Sequence, residues 1–559
     1  MPEYCSRFPD TCDKANKLRI NPKTRFLVDS YGRTTLLHGV NAIYKVDPYI
    51  PLTDEFDPQN SLNDDDIANL KKWGMNFVRL GVMWEGVERE AGVYDMAYLD
   101  KVEALINKMG EAGIYTLVDA HQDVFARFMC GEGIPDFYAQ EAIGMTPSCI
   151  NPIVDVLLKD FYASIGSCND MNDLNYRVDD NGDFLIEDCL QEMFANYYNT
   201  KQSVTGFGSL FTNKQNMNDK FVAYWDATSA RFAGNPYVVG YDPLNEPFPA
   251  NNVRDPTLRI PGVMDRKHLA PTYSAVFDKY INNDSDAIMW FEPVTDPDVD
   301  GWLNGGTIFP VGFAEPPGGE YNSVNHVLND HTYCCQLGGW PSPCETGEPS
   351  TDLAEECLVW HKKRIGVRST DAERLGIPYH ITEFGACLTE APCTQEIKQV
   401  CDVADEHLVG WAYWQFKYYE DLTTSAGTGS EGFYNQDGSL QEWKAKALAR
   451  SYLMYTQGAL TSQHFDTETA ALNATFVVDT SIKAPTVIYQ NTEYWCTAQD
   501  GCACSYFDHD EGVQLDASQF KESFEDQITN FTVHDHKLNG KSISVSCAQS
   551  SEQPQIVQE

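Results

Sequence analysis

The sequence predicts an α/β fold, a (β/α)8 TIM barrel over residues 1–455 followed by a small C-terminal all-β sandwich over residues 456–559. Short runs rich in β-branched and aromatic residues recur in the first part. Each is followed by a helical pattern, which is typical of repeated βα units and a parallel sheet. After Tyr455 the helical periodicity stops and short alternating runs begin, as at residues 474–478. The candidate barrel strands are residues 36–44, 76–84, 114–121, 238–245, 287–292, 326–333, 379–384 and 410–416.

The segments between these strands contain recognisable helices and two long connections. Residues 64–73 begin with three aspartates and are followed by Gly74, and residues 97–109 show a similar pattern. Acidic groups are favoured at a helix N-terminus and glycine just after its C-terminus. The connections at residues 131–218 and 294–325 are far longer than usual, and loops of such length are often lids or binding walls.

The chain is strongly acidic, with 82 Asp and Glu against 40 Lys and Arg among 559 residues and a formal charge of −42. Such a surface repels nucleic acid and other polyanions at neutral pH. We therefore exclude nucleic acid and expect a neutral or cationic partner, while the oligomeric state stays open. The aromatic content of 12% favours a cleft that stacks against sugar rings or lipid.

The 17 cysteines suggest disulfide staples on loops, although their connectivity cannot be read from the sequence. Candidate groups are Cys5 with Cys12, Cys130 with Cys149, Cys334 and Cys335 with Cys344 and Cys357, and Cys387 with Cys393 and Cys401. The run containing Cys496, Cys502 and Cys504 has no matching His pair at zinc spacing, so we predict no metal and no other cofactor.

Three glycosylation sequons begin at Asn283, Asn473 and Asn530. They agree with a secreted protein or one in the lumen of a lysosome or another endomembrane compartment. No signal peptide is visible at the N-terminus. A leader that has been removed and a cytoplasmic location therefore both stay open.

Two glutamates end predicted strands on nearly opposite sides of the barrel. Glu246 follows the fourth strand, between Asn245 and Pro247, and Glu383 ends the seventh. Active sites of such barrels lie at the C-terminal ends of the strands. Two carboxyl groups about 5 Å apart suit hydrolysis of a glycosidic bond with retention of configuration, because one attacks the anomeric carbon and the other protonates the leaving oxygen.

Other predicted strand ends carry polar or aromatic side chains with candidate roles. Arg79 beside Glu383 would keep that carboxylate ionised, and Tyr333 would donate a hydrogen bond to it. Asn245 would bind the sugar 2-hydroxyl, and Trp414 would form a sugar platform. The remaining candidates for substrate contact are Lys45, Asp119, His121, Asp123 and His331, with Asn41 beside them.

Structural alternatives stay open for several of these candidates. His121 and His331 are also compatible with histidines whose hydrogen bonds are satisfied in the core. Asp119 and Asp123 are equally compatible with helix caps or salt bridges.

The sequences Leu-Asn-Glu-Pro at residues 244–247 and Ile-Thr-Glu-Phe-Gly at 381–385, with Arg79 upstream, resemble the retaining barrel glycosidases of glycoside hydrolase family 5. This resemblance spans residues 20–455. Residues 41–45, 119–123 and 130–135 and the trailing β domain are similar to those of endoglycoceramidases and related glucosylceramidases. Members of that group cleave the β-linkage between a glycan and ceramide. The long insertion at residues 131–218 and the cysteine-rich loops depart from that pattern.

The resemblance implies that Glu246 is the acid/base and Glu383 the nucleophile. It also implies sugar contacts by Lys45, His121, Asp123, Asn245, Tyr333 and Trp414. The expected activity is endoglycoceramidase-type hydrolysis of glycosphingolipids, with an optimum below neutral pH because the acid/base must be protonated. Glucosylceramidase, steryl-β-glucosidase and polysaccharide endo-β-glucanase are alternatives within this class, and an inactive glycan-binding protein is an alternative outside it.

Residues Ile308, Phe309, Val311 and Phe313 form an apolar run in the second long connection, with two interpretations open. One is an exposed strip that accepts acyl chains and makes transient contact with a membrane or micelle. The other is a loop folded onto itself or onto the β-sandwich.

Overall fold

A computed structural model describes residues 17–164, 166–180, 182–295, 308–334, 350–423, 431–497 and 502–549. Eight parallel strands close into a barrel in which the last strand pairs with the first. Every predicted barrel strand is confirmed, and each lies within its predicted range. The strands are β1 His38–Ala42, β2 Phe77–Gly81, β3 Tyr115–Asp119, β4 Val238–Asp242, β5 Met289–Phe291, β6 His326–Thr332, β7 Tyr379–Phe384 and β8 Gly410–Tyr413.

The barrel strands are buried along their whole length, as expected for a parallel sheet covered by helices. The α-helices are α1 Asp64–Lys72, α2 Trp84–Val87, α3 Met96–Glu111, α4 Asp136–Ile143, α5 Pro152–Leu157, α6 Lys159–Ser164, α7 Ile186–Cys189, α8 Lys201–Phe211, α9 Met217–Phe232, α10 Ala270–Asn283, α11 Ala354–Leu375, α12 Glu390–His407 and α13 Glu442–Leu448. In the described part of the chain, no helix combines the length and apolar character needed to cross a membrane.

Helix α1 begins and ends as its sequence predicts. The Asn63 side chain accepts a hydrogen bond from the Asp66 backbone, and the Asp66 side chain accepts one from the Asn63 backbone. This capping box satisfies two N–H groups that the helix itself leaves without partners. Gly74 follows the C-cap residue Trp73 and has a φ of +78°, a conformation that glycine adopts without steric cost.

The insertion between β3 and β4 carries α4 to α8 and two disulfides, Cys130–Cys189 and Cys149–Cys168. The predicted grouping of Cys130 with Cys149 is therefore wrong. It took neighbouring cysteines as partners, whereas the folded insertion brings Cys189, 59 residues away in sequence, to Cys130. The spacing of cysteines along the sequence therefore does not determine which of them form a disulfide.

The other cysteine groups are confirmed in part. Disulfides join Cys334 to Cys357 and Cys387 to Cys393. Cys401, in the described part of the chain, is a buried free thiol. The C-terminal cysteines form the pairs Cys496–Cys502 and Cys504–Cys547. Cys5, Cys12, Cys335 and Cys344 lie outside the described residues.

A β-sandwich follows the barrel. Its strands are β9 Tyr452–Thr456, β10 Gly458–Asp466, β11 Ala471–Val478, β12 Thr486–Tyr489, β13 Ala503–Asp508, β14 Val513–Gln514, β15 Phe520–Glu525, β16 Ile528–Val533 and β17 Ser542–Ala548. One sheet has five strands in the order β10, β11, β17, β13, β14. The other has seven, in which β9, β12, β16 and β15 continue three short N-terminal strands at residues 19–20, 27–28 and 34–35. The predicted boundary at 455/456 falls inside β9, and the chain's beginning joins the C-terminal domain.

The apolar run at residues 308–313 is folded inward, which contradicts an exposed acyl-binding strip. Ile308 packs against Cys334, Cys357 and Trp360, and the Phe313 ring lies 5.1 Å from that of Phe291. The loop's backbone is also held, since Arg368 and Arg374 on α11 donate hydrogen bonds to carbonyls at 309, 311 and 313. These carbonyl bonds let an irregular segment lie against the barrel.

Candidate active site

The two predicted glutamates face each other at the C-terminal end of the barrel. Glu383 is the last residue but one of β7, and Glu246 stands four residues after β4 with a φ of 39°. One carboxylate oxygen of Glu246, one of Glu383 and a ring nitrogen of His331 all lie within 4.8 Å of one another. That separation is close to the value of about 5 to 5.5 Å for retaining glycosidases and is too short for the intervening water of an inverting mechanism.

The loop that carries Glu246 is held in its left-handed conformation by hydrogen bonds. The Glu246 N–H donates to Glu292 Oε2 at 3.2 Å, and the Gln122 side-chain amide donates to the carbonyls of Asn245 and Glu246 at 2.8 and 3.2 Å. A positive φ is unfavourable for a residue with a side chain, and such conformations occur at functional sites where the surroundings impose them.

Glu383 is nearly buried and has both carboxylate oxygens engaged. Arg79 donates to Oε1 at 2.7 Å, and the Tyr333 hydroxyl donates to Oε2 at 2.9 Å. Burial raises the pKa of Glu383, while the positive charges of His331 and Arg79 oppose that rise. Arg79 thus lowers the pKa of Glu383, as predicted, but the effect of burial is larger and the pKa is raised. Tyr333 lies where the sequence predicted it.

His331 links Glu246 to a third carboxylate. Its Nδ1 lies 2.8 Å from Glu246 Oε1, and its Nε2 lies 3.4 Å from Glu292 Oε1. Burial by itself would lower the pKa of His331, but the charges of Glu292 and Glu383 and the hydrogen bond with Glu246 raise it well above the ordinary value. A protonated His331 therefore donates to Glu246 near neutral pH.

Arg79 is completely buried and connects more carboxylates than the sequence suggested. Besides Glu383, its guanidinium contacts Asp119 at 3.0 Å, Asp242 at 2.9 Å and Glu292 at 3.3 Å. Burial would lower the pKa of Arg79, but these carboxylates raise it well above the ordinary value. Asp119 is also fully buried, and its oxygens bind Arg79 and His121, so it positions those side chains behind the cleft instead of facing a sugar.

Lys45 lies at the centre of a second charged cluster. Its ammonium contacts Asp123 at 2.7 Å, Asp421 at 3.0 Å and Glu132 at 3.3 Å, and donates to the Thr423 hydroxyl at 2.6 Å. Burial opposes the charged form, but the carboxylates raise the pKa of Lys45 well above its ordinary value. Within the described residues, His121, Asp123 and Glu132 form a group that could hold a cation, and the Lys45 ammonium already lies among them.

The pKa shifts in this cluster differ in direction from one carboxyl group to the next. Burial favours protonation of Asp123, but Lys45 and His121 lower its pKa. Burial raises the pKa of Glu132, and the charge of Lys45 opposes that rise. The Lys45 ammonium and the carboxyl groups around it supply both hydrogen-bond donors and acceptors, which sugar hydroxyls require.

Trp414 joins the two clusters. Its ring stacks on His121 with centroids 5.2 Å apart, and the Lys45 ammonium lies 4.8 Å from the ring centroid. Burial and the negative charge of Asp421 raise the pKa of Glu431 to about 8, while the positive charge of Lys45 opposes that rise. Asn245 completes the connection, because it accepts from Arg79 at 2.8 Å and lies 3.3 Å from His121.

The structure brings all predicted site residues into one connected network. These residues are Lys45, Arg79, Asp119, His121, Asp123, Asn245, Glu246, His331, Tyr333, Glu383 and Trp414. The sequence reasoning missed Asp242, Glu292, Glu132, Asp421, Thr423 and Glu431 as members of it. Glu292 carried a usable signal, because it ends the fifth predicted strand.

A parallel (β/α)8 barrel with two close glutamates at its active-site mouth defines a retaining glycoside hydrolase. The chain matches the family model "Cellulase (glycosyl hydrolase family 5)" over residues 28–420. It therefore belongs to glycosyl hydrolase family 5, as its motifs predicted.

Similar proteins include glycolipid hydrolases. An endoglycoceramidase of Cyanea nozakii is 28% identical over 487 residues, which cover 87% of this chain and 86% of that protein. A glucosylceramidase of Cryptococcus neoformans is 36% identical, but over only 136 residues, 22% of this chain and 18% of that protein. The structure of endo-glycoceramidase II from Rhodococcus sp. in complex with ganglioside GM3 has a TM-score of 0.66 at 20% identity, covering 94% of this chain and 99% of that one.

Proposed function

We propose that this enzyme hydrolyses the β-glycosidic bond between the glycan and the ceramide of glycosphingolipids, with retention of configuration. The proposal is carried by one observation, the close pair Glu246 and Glu383 in a chain that matches an endoglycoceramidase over 86% of that protein's length. A match of 487 residues is longer than the barrel alone and therefore extends into the trailing β domain.

The contacts of Glu383 suit a nucleophile. Arg79 holds Oε1 and Tyr333 holds Oε2, so the carboxylate is oriented before substrate arrives. Attack on the anomeric carbon forms a glycosyl–enzyme ester and breaks the bond to the ceramide oxygen. Arg79 and Tyr333 then stabilise the carboxylate again when water releases the sugar.

The contacts of Glu246 suit the acid/base. Its side chain is more exposed than that of Glu383, at 23% against 7%, so water can reach it after the ceramide leaves. His331 donates to one of its oxygens and leaves the other for the leaving group. Glu246 gives its proton to the ceramide oxygen and later removes one from the attacking water.

The substrate is tested by incubating the enzyme separately with glucosylceramide, ganglioside GM3 and a cellulose oligomer and identifying the products by mass spectrometry. Free oligosaccharide and intact ceramide from the ganglioside are the expected products. Cleavage of glucosylceramide alone would indicate a glucosylceramidase, which the short match of higher identity favours as second candidate. Release from the glucan alone would contradict a glycolipid substrate. A steryl glucoside is incubated as a fourth substrate, and its cleavage alone would select the remaining alternative.

The two glutamate roles are tested with azide and an activated aryl glycoside. Azide should rescue Glu246→Ala and give the β-glycosyl azide, because the glycosyl–enzyme ester still forms on Glu383. It should rescue Glu383→Ala with the inverted α-azide, because azide then attacks the substrate directly. The opposite pair of products would exchange the two roles.

We also propose that the protein works in an oxidising compartment, secreted or within the endomembrane lumen, and carries N-glycans. Six disulfides among the described residues support this location. The sequon at Asn473 lies on an exposed position of β11. Removal of N-glycans from the native protein should increase its gel mobility, and unchanged mobility together with reduced cysteines would contradict the proposal.

A further inference from the structure

Helix α5, in the insertion between β3 and β4, presents apolar side chains to solvent. Ile153, Val156 and Leu157 are 75%, 75% and 78% exposed. Their spacing of three and four residues places them on one face of the helix. Met145, in the segment leading to the helix, is fully exposed. We call Ile153, Val156 and Leu157 the apolar face.

The polarity of α5 is the reverse of that of an ordinary surface helix. Its charged residue, Asp155, is 2% exposed and points inward. There it accepts hydrogen bonds from the Ser148 hydroxyl at 2.7 Å and from the backbone N–H groups of Cys149 and Ile150 at 2.9 and 3.1 Å. Because Asp155 fixes the helix in this orientation, the apolar face is directed outward by specific bonds.

The helix is tied to the loop that carries the acid/base Glu246. Asn251, five residues after Glu246, donates to the Cys149 carbonyl at 2.9 Å, and Arg254 donates to the Ile150 carbonyl at 2.8 Å. The disulfide Cys149–Cys168 closes the segment that contains the helix. The segment that carries the apolar face is therefore anchored to the chain that follows Glu246.

A second copy of this chain fits the apolar face poorly. A stable protein interface uses roughly 20 to 30 residues on each side, far more than these few side chains. Two copies each carrying a formal charge of −42 also repel one another. The same charge disfavours an anionic membrane. Two basic residues near the face are engaged locally, since Lys159 pairs with Asp173 at 2.8 Å and Arg254 binds the Ile150 carbonyl. A shallow layer of apolar side chains whose basic neighbours are paired in this way suits the boundary between headgroups and acyl chains of neutral lipid.

We propose that the apolar face of α5 docks the enzyme on a neutral or zwitterionic lipid surface, with the cleft turned toward glycolipid headgroups in that surface. This inference rests on the proposed function, because docking on lipid serves catalysis only if the substrate is a glycolipid. It replaces the buried run at 308–313 as the place of contact with a membrane or micelle.

The test uses flotation of the full chain with phosphatidylcholine vesicles, with and without phosphatidylserine. The variant Ile153→Ser, Val156→Ser, Leu157→Ser should bind phosphatidylcholine vesicles at least about tenfold more weakly, because each side chain loses apolar burial. A control, Val93→Ser with Val513→Ser, changes two valines that are each 57% exposed elsewhere and should bind as wild type does. Phosphatidylserine should weaken binding of the wild type.

Measurements of hydrolysis distinguish a failure of this inference from a failure of the proposed function. The triple variant should keep wild-type kcat/KM on a water-soluble aryl β-glycoside and lose about tenfold on a neutral oligosaccharyl ceramide embedded in phosphatidylcholine vesicles. Failure of the wild type to cleave glycolipid in detergent would overturn the proposed substrate and leave the vesicle binding result standing. Equal vesicle binding by the variant and the wild type would overturn the docking surface.

A second measurement does not depend on removing the apolar face. The Leu157→Trp variant should show a blue shift of tryptophan fluorescence, relative to wild type, when phosphatidylcholine vesicles are added. A shift already complete without lipid would mean that the face is covered by protein. A third outcome is that the wild type sediments as a dimer and does not bind vesicles, whereas the triple variant sediments as a monomer. That outcome would assign the apolar face to a second copy of the chain and overturn the proposed docking on lipid.

Discussion

Arg79 is the residue on which the centre of the active site depends, because one buried guanidinium contacts four carboxylates. Removing one partner of a buried ion pair typically costs about 3 to 5 kcal/mol. The sequence suggested the pair Arg79 and Glu383 because both lie on predicted barrel strands. It did not suggest Asp242, although this residue also lies on a predicted strand, because the order in which the strands pair decides which carboxylates reach Arg79.

Tyr333→Phe should move the acid limb of the kcat/KM profile to higher pH. The variant loses the hydrogen bond to Glu383 Oε2, which stabilises the ionised nucleophile. Burial already raises the pKa of Glu383, so the loss raises it further. A hydrogen bond to a charged group contributes about 1.5 to 3 kcal/mol, which predicts a shift of about one to two pH units.

The control for this variant is Tyr280→Phe on α10, whose ring packs against Trp225 and Tyr241. Its pH profile should match that of the wild type. An unchanged acid limb in Tyr333→Phe, measured on a soluble aryl glycoside, would contradict the assignment of that limb to Glu383.

Glu292→Gln should move the alkaline limb to lower pH. Among the groups that raise the pKa of His331, Glu292 has the largest effect, so its neutralisation lowers the pH at which His331 loses its proton. The acid limb should move little. The control is Glu315→Gln, the same chemical change at an exposed residue, and its pH profile should match that of the wild type. If the alkaline limb stays in place, the protonation state of His331 does not limit turnover.

At the scale of elements, each barrel strand delivers its functional side chain at the C-terminal end, and this much follows from sequence alone. The insertion differs, because its short helices are oriented by tertiary hydrogen bonds. Composition alone does not reveal that Asp155 points inward and Ile153 outward, since a six-residue helix contains less than two turns.

Asp155→Ala should loosen the insertion without unfolding the barrel. The change removes the acceptor for one hydroxyl and two backbone N–H groups. Each unsatisfied buried group costs about 1 to 3 kcal/mol. We expect proteolytic cleavage between residues 145 and 168 to become at least tenfold faster, whereas exposed Asp160→Ala should behave as wild type. Equal cleavage rates in both variants would contradict the role of Asp155.

For the whole molecule, one sheet of the β-sandwich combines strands that precede the barrel in the chain with strands that follow it. The N-terminal strand at 34–35 pairs with β9, and β9 pairs with β12. Gln463 on β10 donates to Asp405 on barrel helix α12 at 2.9 Å, and Arg450 contacts the Phe465 carbonyl. The sandwich therefore packs against barrel helix α12 and the segment that follows α13.

Deletion of residues 457–559 should leave an insoluble barrel. The deletion uncovers Tyr452 and Leu453, which are buried in the sandwich core. Gln463→Ala is a milder change that should lower the free energy of unfolding by about 1 to 3 kcal/mol, because Asp405 and the Leu453 N–H lose a buried partner. A soluble, fully active deletion variant would show that the two domains are independent.

The sequence by itself determined the eight barrel strands, the two glutamates at strand ends and the family. These features depend on local periodicity and on the position of a side chain along its own strand. Only the tertiary structure decided the partners of Cys130 and Arg79, the inward folding of Phe313 and the outward face of α5. Those outcomes depend on which distant segments meet, and contacts such as Cys130 with Cys189 are not encoded in the spacing of residues along the chain.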